Sequence, residues 1–290
     1  MFVIQFRPVI LFVALLMACA PRATPRASPG VSAQEEPKLS EEEIGQFLLS
    51  ARIVNSKTTP KGITMPSRLT LTDGKITHDA GFQTINERKN KQEFPDGRSE
   101  INFVDSYLYN IAAFELAKLL GLSDMIPVAV ERSYQGKKGA ISWWVPTMMD
   151  EATRYNKKIQ PPDVDAWNRQ MYTKRIFAEL VYDTDPNLTN VLISPDWHLW
   201  MIDFTRGFRL QTDLRSPANL QDIMIGRRLL ENLRKLKSDE LMQKTKGYLN
   251  KPEVDGVMGR RDKIVKLFDG LIAKKGEKAV VYDDPIDRVK

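Results

Sequence analysis

The spacing of apolar residues changes near residue 146, and this change constrains the fold more than any other feature of the 290-residue chain. Upstream of it, short segments rich in alternating and β-branched residues surround one helical segment. Downstream, helical segments surround one pair of short apolar strands. This order predicts an α+β chain with two lobes, which we place at residues 39–146 and 147–290.

Local signals place several elements within the two lobes. Ser40, followed by three glutamates, predicts a helix start, and Asp73-Gly74 predicts a hairpin within a small antiparallel sheet. Apolar residues at helical spacing predict one long helix over residues 103–122. In the second lobe, the same reasoning predicts helices over residues 165–182, 220–249 and 253–274, strands over residues 191–193 and 199–204, and an edge strand at residues 280–282.

Composition excludes several classes of protein. With 42% hydrophobic and 28% charged residues, the chain does not resemble disordered, collagen-like or polytopic membrane proteins. The net charge is +6, but 43 basic and 37 acidic residues are interspersed, so no nucleic-acid partner is indicated. One cysteine, Cys19, and two histidines exclude intrachain disulfides and cysteine metal clusters. We therefore expect the hydrophobic core alone to stabilise the fold.

The N-terminal residues predict export and anchoring. Residues 1–18 contain an arginine followed by an apolar run too short to span a bilayer, as in a signal peptide. Residues 16–19, Leu-Met-Ala-Cys, resemble the lipobox of bacterial lipoproteins, which implies lipidation of Cys19. Residues 19–38 would then be a flexible linker to a bacterial membrane, with the protein on the extracytoplasmic, periplasmic face of the cell envelope. Ordinary cleavage without lipidation and a start codon placed too early are the alternatives.

Three oxygen-bearing side chains in the second lobe indicate phosphoryl-transfer chemistry. Asp185 and Asn190 lie in the loop after a predicted helix, and Asp203 ends the following strand pair. An aspartate can orient or deprotonate an attacking hydroxyl, while an asparagine oxygen and a second aspartate can ligate Mg²⁺. We therefore assign Asp185 as the catalytic base and Asn190 and Asp203 as metal ligands.

Spacing alone does not single out this pair, because an aspartate five residues before an asparagine occurs elsewhere in the chain. Its context does, since only one such pair lies between a long helix and an apolar strand pair that ends in Ile-Asp-Phe. The three pairs are Asp105/Asn110, Asp163/Asn168 and Asp185/Asn190.

Residues 109–122, followed by Ile-Pro-Val-Ala-Val at residues 126–130, are similar to the helix and next strand of bacterial phosphoinositide-kinase-like proteins. That group is related to the atypical kinases of the secretory pathway. The resemblance covers residues 52–209 and implies a bilobal protein-kinase-like fold that uses ATP and Mg²⁺. Pro186 stands where the bacterial relatives have an arginine after the catalytic aspartate.

The resemblance also implies a set of nucleotide-binding positions. Kinases pair a strand lysine with a helix glutamate to hold the phosphates, and the aligned positions here are the uncharged Gln83 and Asn110. A cation could come from nearby residues instead, and a hinge residue could line an adenine pocket. The candidates are Lys57, Lys61 and Arg68 for the cation, with Glu115 as a second helix acid, and Met148 for the hinge.

These observations leave three functions open. The first is an atypical kinase that transfers a phosphoryl group from ATP to an unknown protein, lipid or small-molecule acceptor. The second is a pseudokinase that binds a protein partner without catalysis, which the uncharged Gln83 and Asn110 favour. The third is a metal-dependent hydrolase that uses Asp183, Asp185 and Asp203.

Overall fold

The structure, a computed structural model, describes residues 39–58 and 67–283. The predicted signal peptide and linker, Cys19 and Lys61 lie outside these residues. The sheet-rich first half consists, in chain order, of α1 (Glu41–Ser50), β1 (Arg52–Thr58), β2 (Ser67–Thr72), β3 (Thr77–Gln83), β4 (Asn86–Glu93), β5 (Ser99–Ser106), α2 (Leu108–Leu120), β6 (Ala129–Tyr134) and β7 (Lys137–Trp143).

Five strands of this half form an antiparallel sheet in the order β1-β2-β3-β7-β6. The predicted Asp73-Gly74 turn is confirmed and joins β2 to β3. Because side chains alternate across a strand, Leu69 and Phe82 are buried on one face. Helix α1 covers that face and places Phe47 edge-on to Trp143, with the ring centroids 5.8 Å apart. Its predicted capping box at Ser40 is also confirmed.

Helix α2 contacts β6 and β7 of this sheet, and its start differs from the prediction. It ends as expected at Gly121, which adopts the left-handed conformation with φ 70°. The predicted helix over residues 103–122 was wrong at its beginning, because residues 103–106 belong to β5. Strands β4 and β5 form a separate two-stranded hairpin between β3 and α2 that the sequence analysis missed.

The helical second half carries a small sheet near its start. Helix α4 confirms the predicted helix over residues 165–182, and a three-stranded antiparallel sheet in the order β10-β9-β8 contains the predicted strand pair. The elements are β8 (Met149–Asp150), α3 (Glu151–Asn156), α4 (Val164–Val181), β9 (Val191–Ile193), β10 (Leu199–Met201), β11 (Ile225–Gly226), α5 (Arg227–Lys235), α6 (Ser238–Lys244), α7 (Lys251–Lys275) and β12 (Val281–Tyr282).

The region predicted as one helix over residues 220–249 is wrong in its detail. It contains a short strand and two helices, because Leu236 leaves the helical conformation with ψ 126° and is buried in the core. Strand β11 from this region pairs in parallel with the predicted edge strand, β12.

Buried apolar side chains from both halves form one continuous cluster. At its centre, Phe204 packs edge-on against Phe177 of α4, with the ring centroids 5.4 Å apart. This contact holds the backbone next to Asp203 against α4. Within the described residues, no helix combines the length and apolar character that crossing a bilayer requires.

We expect Gly139→Ala to lower the free energy of unfolding by about 2–3 kcal/mol, because over-packing costs about that much. A Cβ atom at Gly139 would lie 2.5 Å from the backbone oxygen of Gln83 and 2.8 Å from the ring of Phe82. Gly81→Ala is the matched control, since its Cβ atom would meet Ser142 at an ordinary 3.4 Å. Urea unfolding measures both variants, and equal stabilities would contradict the strand packing described.

Candidate functional site

Asp203 takes part in a hydrogen-bond network that joins β3, α2 and the segment after β10. Gln83, the last residue of β3, donates from Nε2 to Oδ1 of Asp203 at 3.3 Å. Asn110 of α2 donates from Nδ2 to Oε1 of Gln83 at 2.6 Å. The Oδ1 atom of Asn110 accepts a bond from the backbone N–H of Phe204 at 2.7 Å. The two side chains aligned with the kinase lysine and glutamate therefore contact each other and, through Gln83, Asp203.

The carboxylate of Asp203 is surrounded by protein atoms, while the residue as a whole is only partly buried. Burial raises its pKa, and the negative charge of Asp185 raises it further. Hydrogen bonds from Gln83 and from Oγ1 of Thr205, the latter at 3.1 Å, act in the opposite direction. An enclosed carboxylate with a raised pKa is a group that a bound cation would stabilise.

The loop between α4 and β9 holds the other two predicted residues. Helix α4 ends at Tyr182 in the left-handed conformation, and a short 3₁₀ turn, Leu188–Asn190, leads into β9. Asp185 is exposed in this loop. The backbone oxygen of Asn190 accepts a bond from the N–H of Ile202 at 3.0 Å, which brings Asn190 beside Asp203. Folding thus brings the backbone of Asn190 next to Ile202, the neighbour of Asp203, and brings Asp185 within electrostatic reach of Asp203.

Behind this loop lies a cavity of about 20 Å³, which is room for about one water molecule. Lys174 of α4, Asp183 and Asn190 are among its lining residues. Burial raises the pKa of Asp183 and lowers that of Lys174, and their opposite charges partly offset both effects. The Oδ1 atom of Asp183 accepts the backbone N–H of Asp185 at 2.9 Å. Asp183 therefore holds the loop in shape.

The donor set near Asp203 fits a nucleotide-bound Mg²⁺ ion. Residues 39–58 and 67–283 contain no group of three or more acidic, histidine or cysteine side chains that could hold a metal ion. Mg²⁺ binds proteins through one or two carboxylates and completes its shell with water and substrate phosphates. Asp203 and the amide oxygen of Asn190 would supply two hard ligands of the required kind.

Among the predicted cations, Arg68 already has other partners. Arg68 pairs with Asp79 at 2.6 Å and lies over the ring of Trp144, 4.4 Å from its centroid. Lys57 is exposed on β1 directly opposite Arg68. The assignment of Arg68 as a replacement cation is weakened, because Asp79 already neutralises its charge.

Met148, the predicted hinge residue, is 43% exposed, so its side chain is accessible. Its backbone N–H, however, donates to the oxygen of Ile193 at 2.8 Å. That donor belongs to the small sheet of the second half. A nucleotide base would therefore have to use other backbone groups of the segment.

Sequence reasoning missed Asp105, which ends the unpredicted hairpin close to Asp203. Burial raises the pKa of Asp105, and the charge of Asp203 raises it further, while a hydrogen bond with Thr205 lowers it. The spacing to Asn110 was the only signal, and the surrounding sequence gave no reason to prefer that pair.

Comparison with solved structures assigns the fold. The structure of hydra Fam20 with sugar matches with a TM-score of 0.61 and 13% identity, over 87% of this chain and 95% of that chain. The Golgi casein kinase with Mn/ADP bound matches with a TM-score of 0.59 and 14% identity, over 84% of this chain and 80% of that one. The chain has an atypical kinase-like fold. The predicted α+β, bilobal architecture is thereby confirmed.

No family model and no curated protein matches the sequence. At identities of 13–14%, these neighbours establish the architecture. The sugar and the Mn/ADP are features of those proteins.

Proposed function

We propose that this protein is an atypical kinase that transfers a phosphoryl group from ATP to an acceptor in a Mg²⁺-dependent reaction. One observation supports the proposal above the others: the enclosed carboxylate of Asp203 lies beside Asn190 and within electrostatic reach of Asp185. Two of these residues lie in the loop between α4 and β9 and the third follows β10, and phosphoryl transfer requires little beyond positioning and charge stabilisation.

Each residue of the site has a distinct role in this proposal. Asp185, which is exposed, orients the acceptor hydroxyl and accepts its proton. Asn190 and Asp203 would hold the magnesium ion, whose charge would neutralise the phosphates of the nucleotide. Gln83 and Asn110 hold Asp203 in place through their hydrogen bonds. Lys57, Lys61 and Met148 would make further nucleotide contacts, whereas Arg68 is held by Asp79.

A pseudokinase is the second candidate function, and the uncharged Gln83 and Asn110 favour it. A neutral hydrogen bond is about half as strong as a charge-assisted one and brings no cation to the phosphates. Arg68 does not replace that cation while it pairs with Asp79. In this alternative the cleft would bind a protein partner without catalysis.

The hydrolase alternative lacks support from the geometry. It requires Asp183 to join Asp185 and Asp203 around a metal ion. Asp183 instead accepts the backbone N–H of Asp185 and lines the cavity behind the loop. Asp183 is therefore a structural residue of the loop in our account.

The proposal extends to the location of the protein. A lipid anchor on Cys19 would place the kinase-like fold at a bacterial membrane, on the extracytoplasmic side of the cell envelope. Metabolic labelling with a radioactive fatty acid tests this anchor. We expect the label in the natural protein and none in Cys19→Ser, and an unlabelled natural protein would contradict the anchor.

A transfer assay separates the three functions. The purified protein is incubated with Mg²⁺ and γ-labelled ATP, together with a protein, a phosphoinositide and a glycan as acceptors. We expect label on one acceptor class and at least 100-fold less label with Asp185→Asn, because a positioned base contributes about that factor or more. Nucleotide binding without transfer would support the pseudokinase, and phosphate release without an acceptor would support the hydrolase.

A further inference from the structure

The segment that follows Asp203 adopts a conformation that needs external support. Asp203 and Phe208 are both left-handed, with φ 61° and 53°, although neither is a glycine. Such residues are disfavoured and persist only where the surrounding structure holds them. Contacts from other parts of the chain are therefore needed to hold residues 203–209 in this conformation.

The missed hairpin supplies ion pairs to this segment. Glu100 of β5 pairs with Arg206 and also with Arg209, the latter at 2.6 Å. The arginine side chains are only 15% and 6% exposed, and that of Glu100 is 21% exposed. The guanidinium of Arg206 also lies over the ring of Phe103, 4.5 Å from its centroid. Glu100 is thus the carboxylate that forms ion pairs with both cations, and the nearby Asp105 adds a further negative charge.

The same segment is bonded to the loop that carries Asp185. The backbone oxygen of Arg206 accepts two hydrogen bonds from Thr184, one from the backbone N–H at 3.3 Å and one from the Oγ1 hydroxyl at 2.9 Å. Arg209 in turn donates from Nη2 to Oγ1 of Thr184 at 3.3 Å. Fixing Arg206 and Arg209 therefore fixes the residue next to the proposed base.

A backbone contact links the hairpin to the metal-ligand side as well. The N–H of Ser106, at the end of β5, donates to the oxygen of Thr205 at 2.9 Å. Thr205 itself donates to the carboxylate of Asp203 at 3.1 Å. The hairpin therefore borders both parts of the site, and Glu100 is the hairpin residue whose carboxylate pairs directly with the two arginines.

We infer that Glu100 is a positioning residue, which holds Asp203 and the Asp185 loop in register by pairing with Arg206 and Arg209. It acts through these arginines and touches no reacting atom. Without its charge, two neighbouring and largely buried cations would lose their ion-pair partner and keep only the charge of Asp105 nearby, and the segment would open. A misplacement of about 1 Å at such a site can cost about 100-fold in rate.

Glu100→Gln tests this inference in the full-length protein. In the absence of nucleotide, we expect amide hydrogen exchange at residues 203–209 and 184–190 to become at least 10-fold faster, while β2 and β3 exchange as before. We also expect the Mg²⁺ concentration that half-saturates the stabilisation by ADP to rise about 10-fold. A merely structural role would lower the unfolding temperature and leave that Mg²⁺ midpoint unchanged.

Glu93→Gln is the matched control, because Glu93 lies on the same hairpin and pairs with Lys91 where both side chains are largely exposed. It should leave exchange and the Mg²⁺ midpoint unchanged. Arg206→Gln serves if Glu100→Gln does not fold, since it keeps the pair between Glu100 and Arg209. Unchanged exchange at residues 203–209 in a folded variant would overturn the inference.

The inference rests on the proposed function only through its Mg²⁺ readout. If the natural protein binds no nucleotide with Mg²⁺, the proposed function fails, while the exchange result still decides whether Glu100 holds the segment. If nucleotide binds and Glu100→Gln changes neither readout, the inference alone fails.

Discussion

Asp203→Asn should raise the unfolding temperature of the metal-free protein and abolish its stabilisation by Mg²⁺ and ADP. The pKa of Asp203 is raised from the ordinary 3.8, chiefly by burial, so the ionised form is disfavoured in the folded state at neutral pH. Asparagine keeps an Oδ1 atom that accepts from Gln83 and Thr205 and carries no charge. A gain of about 1 kcal/mol would raise the unfolding temperature by about 2–4 °C.

When Mg²⁺ and ADP are added, the natural protein should become more stable, whereas Asp203→Asn should not. At 100 times its dissociation constant, Mg²⁺-ADP should add about 2.7 kcal/mol of stability, and the variant should gain none. The difference in stability without ligand should shrink as the pH falls towards 4, because protonation then neutralises the natural carboxylate. Scanning calorimetry measures all three effects. A variant that is less stable than the natural protein without ligand would contradict this account of Asp203.

Arg260→Met should cause the largest loss of stability outside the site. Arg260 of α7 is fully buried and donates to the backbone oxygens of Leu180, Arg209 and Gln211, at 2.7 Å and 2.8 Å for the first two. Burial lowers its pKa to about 10, so its charge is retained at neutral pH. Methionine would remove this donor from two buried carbonyl groups, those of Leu180 and Arg209, and from the carbonyl group of the exposed residue Gln211. We expect a net loss of about 3 kcal/mol, since each unsatisfied buried group costs about 1–3 kcal/mol and relief of the buried charge offsets part of it.

That loss corresponds to an unfolding temperature lower by about 6–12 °C, which calorimetry would detect. Lys266→Met is the matched control, because Lys266 is exposed on the same helix. It should change the temperature by less than about 2 °C. Equal effects of the two substitutions would show that Arg260 does not hold the C-terminal end of α4 to residues 209–211.

Elements with strong local signals could be predicted from the sequence. The capping box at Ser40, the Asp73-Gly74 turn and the left-handed Gly121 are each determined by neighbours in the chain. Helix α4 was predicted to within one residue, because its apolar residues repeat over its whole length and a capping aspartate precedes it. The family resemblance placed Gln83 and Asn110 at the positions of a paired lysine and glutamate in kinases, and the hydrogen bond between the two side chains agrees with that pairing.

The hairpin could not be predicted, because its signal is not local. Strand β4 is almost entirely exposed and consists of polar and charged residues, so it shows no alternation between apolar and polar side chains. Phe103 and Val104 fit helical spacing as well as strand spacing, and burial of Phe103 against the rest of the fold decides between them. Long-range contacts of this kind also determine the ion pairs of Glu100. The sequence therefore indicated candidate site residues and missed the hairpin that borders them.

Binding of Mn²⁺ in the presence of ADP tests the central claim most directly, and electron paramagnetic resonance measures it. The claim is that Asp203 and Asn190 hold a divalent ion together with a nucleotide. We predict that the natural protein lowers the free Mn²⁺ signal below that of the same Mn²⁺ and ADP without protein, by one ion per chain, and that Asp203→Asn does not. Natural, folded protein that leaves the signal of the Mn²⁺ and ADP mixture unchanged would contradict the account.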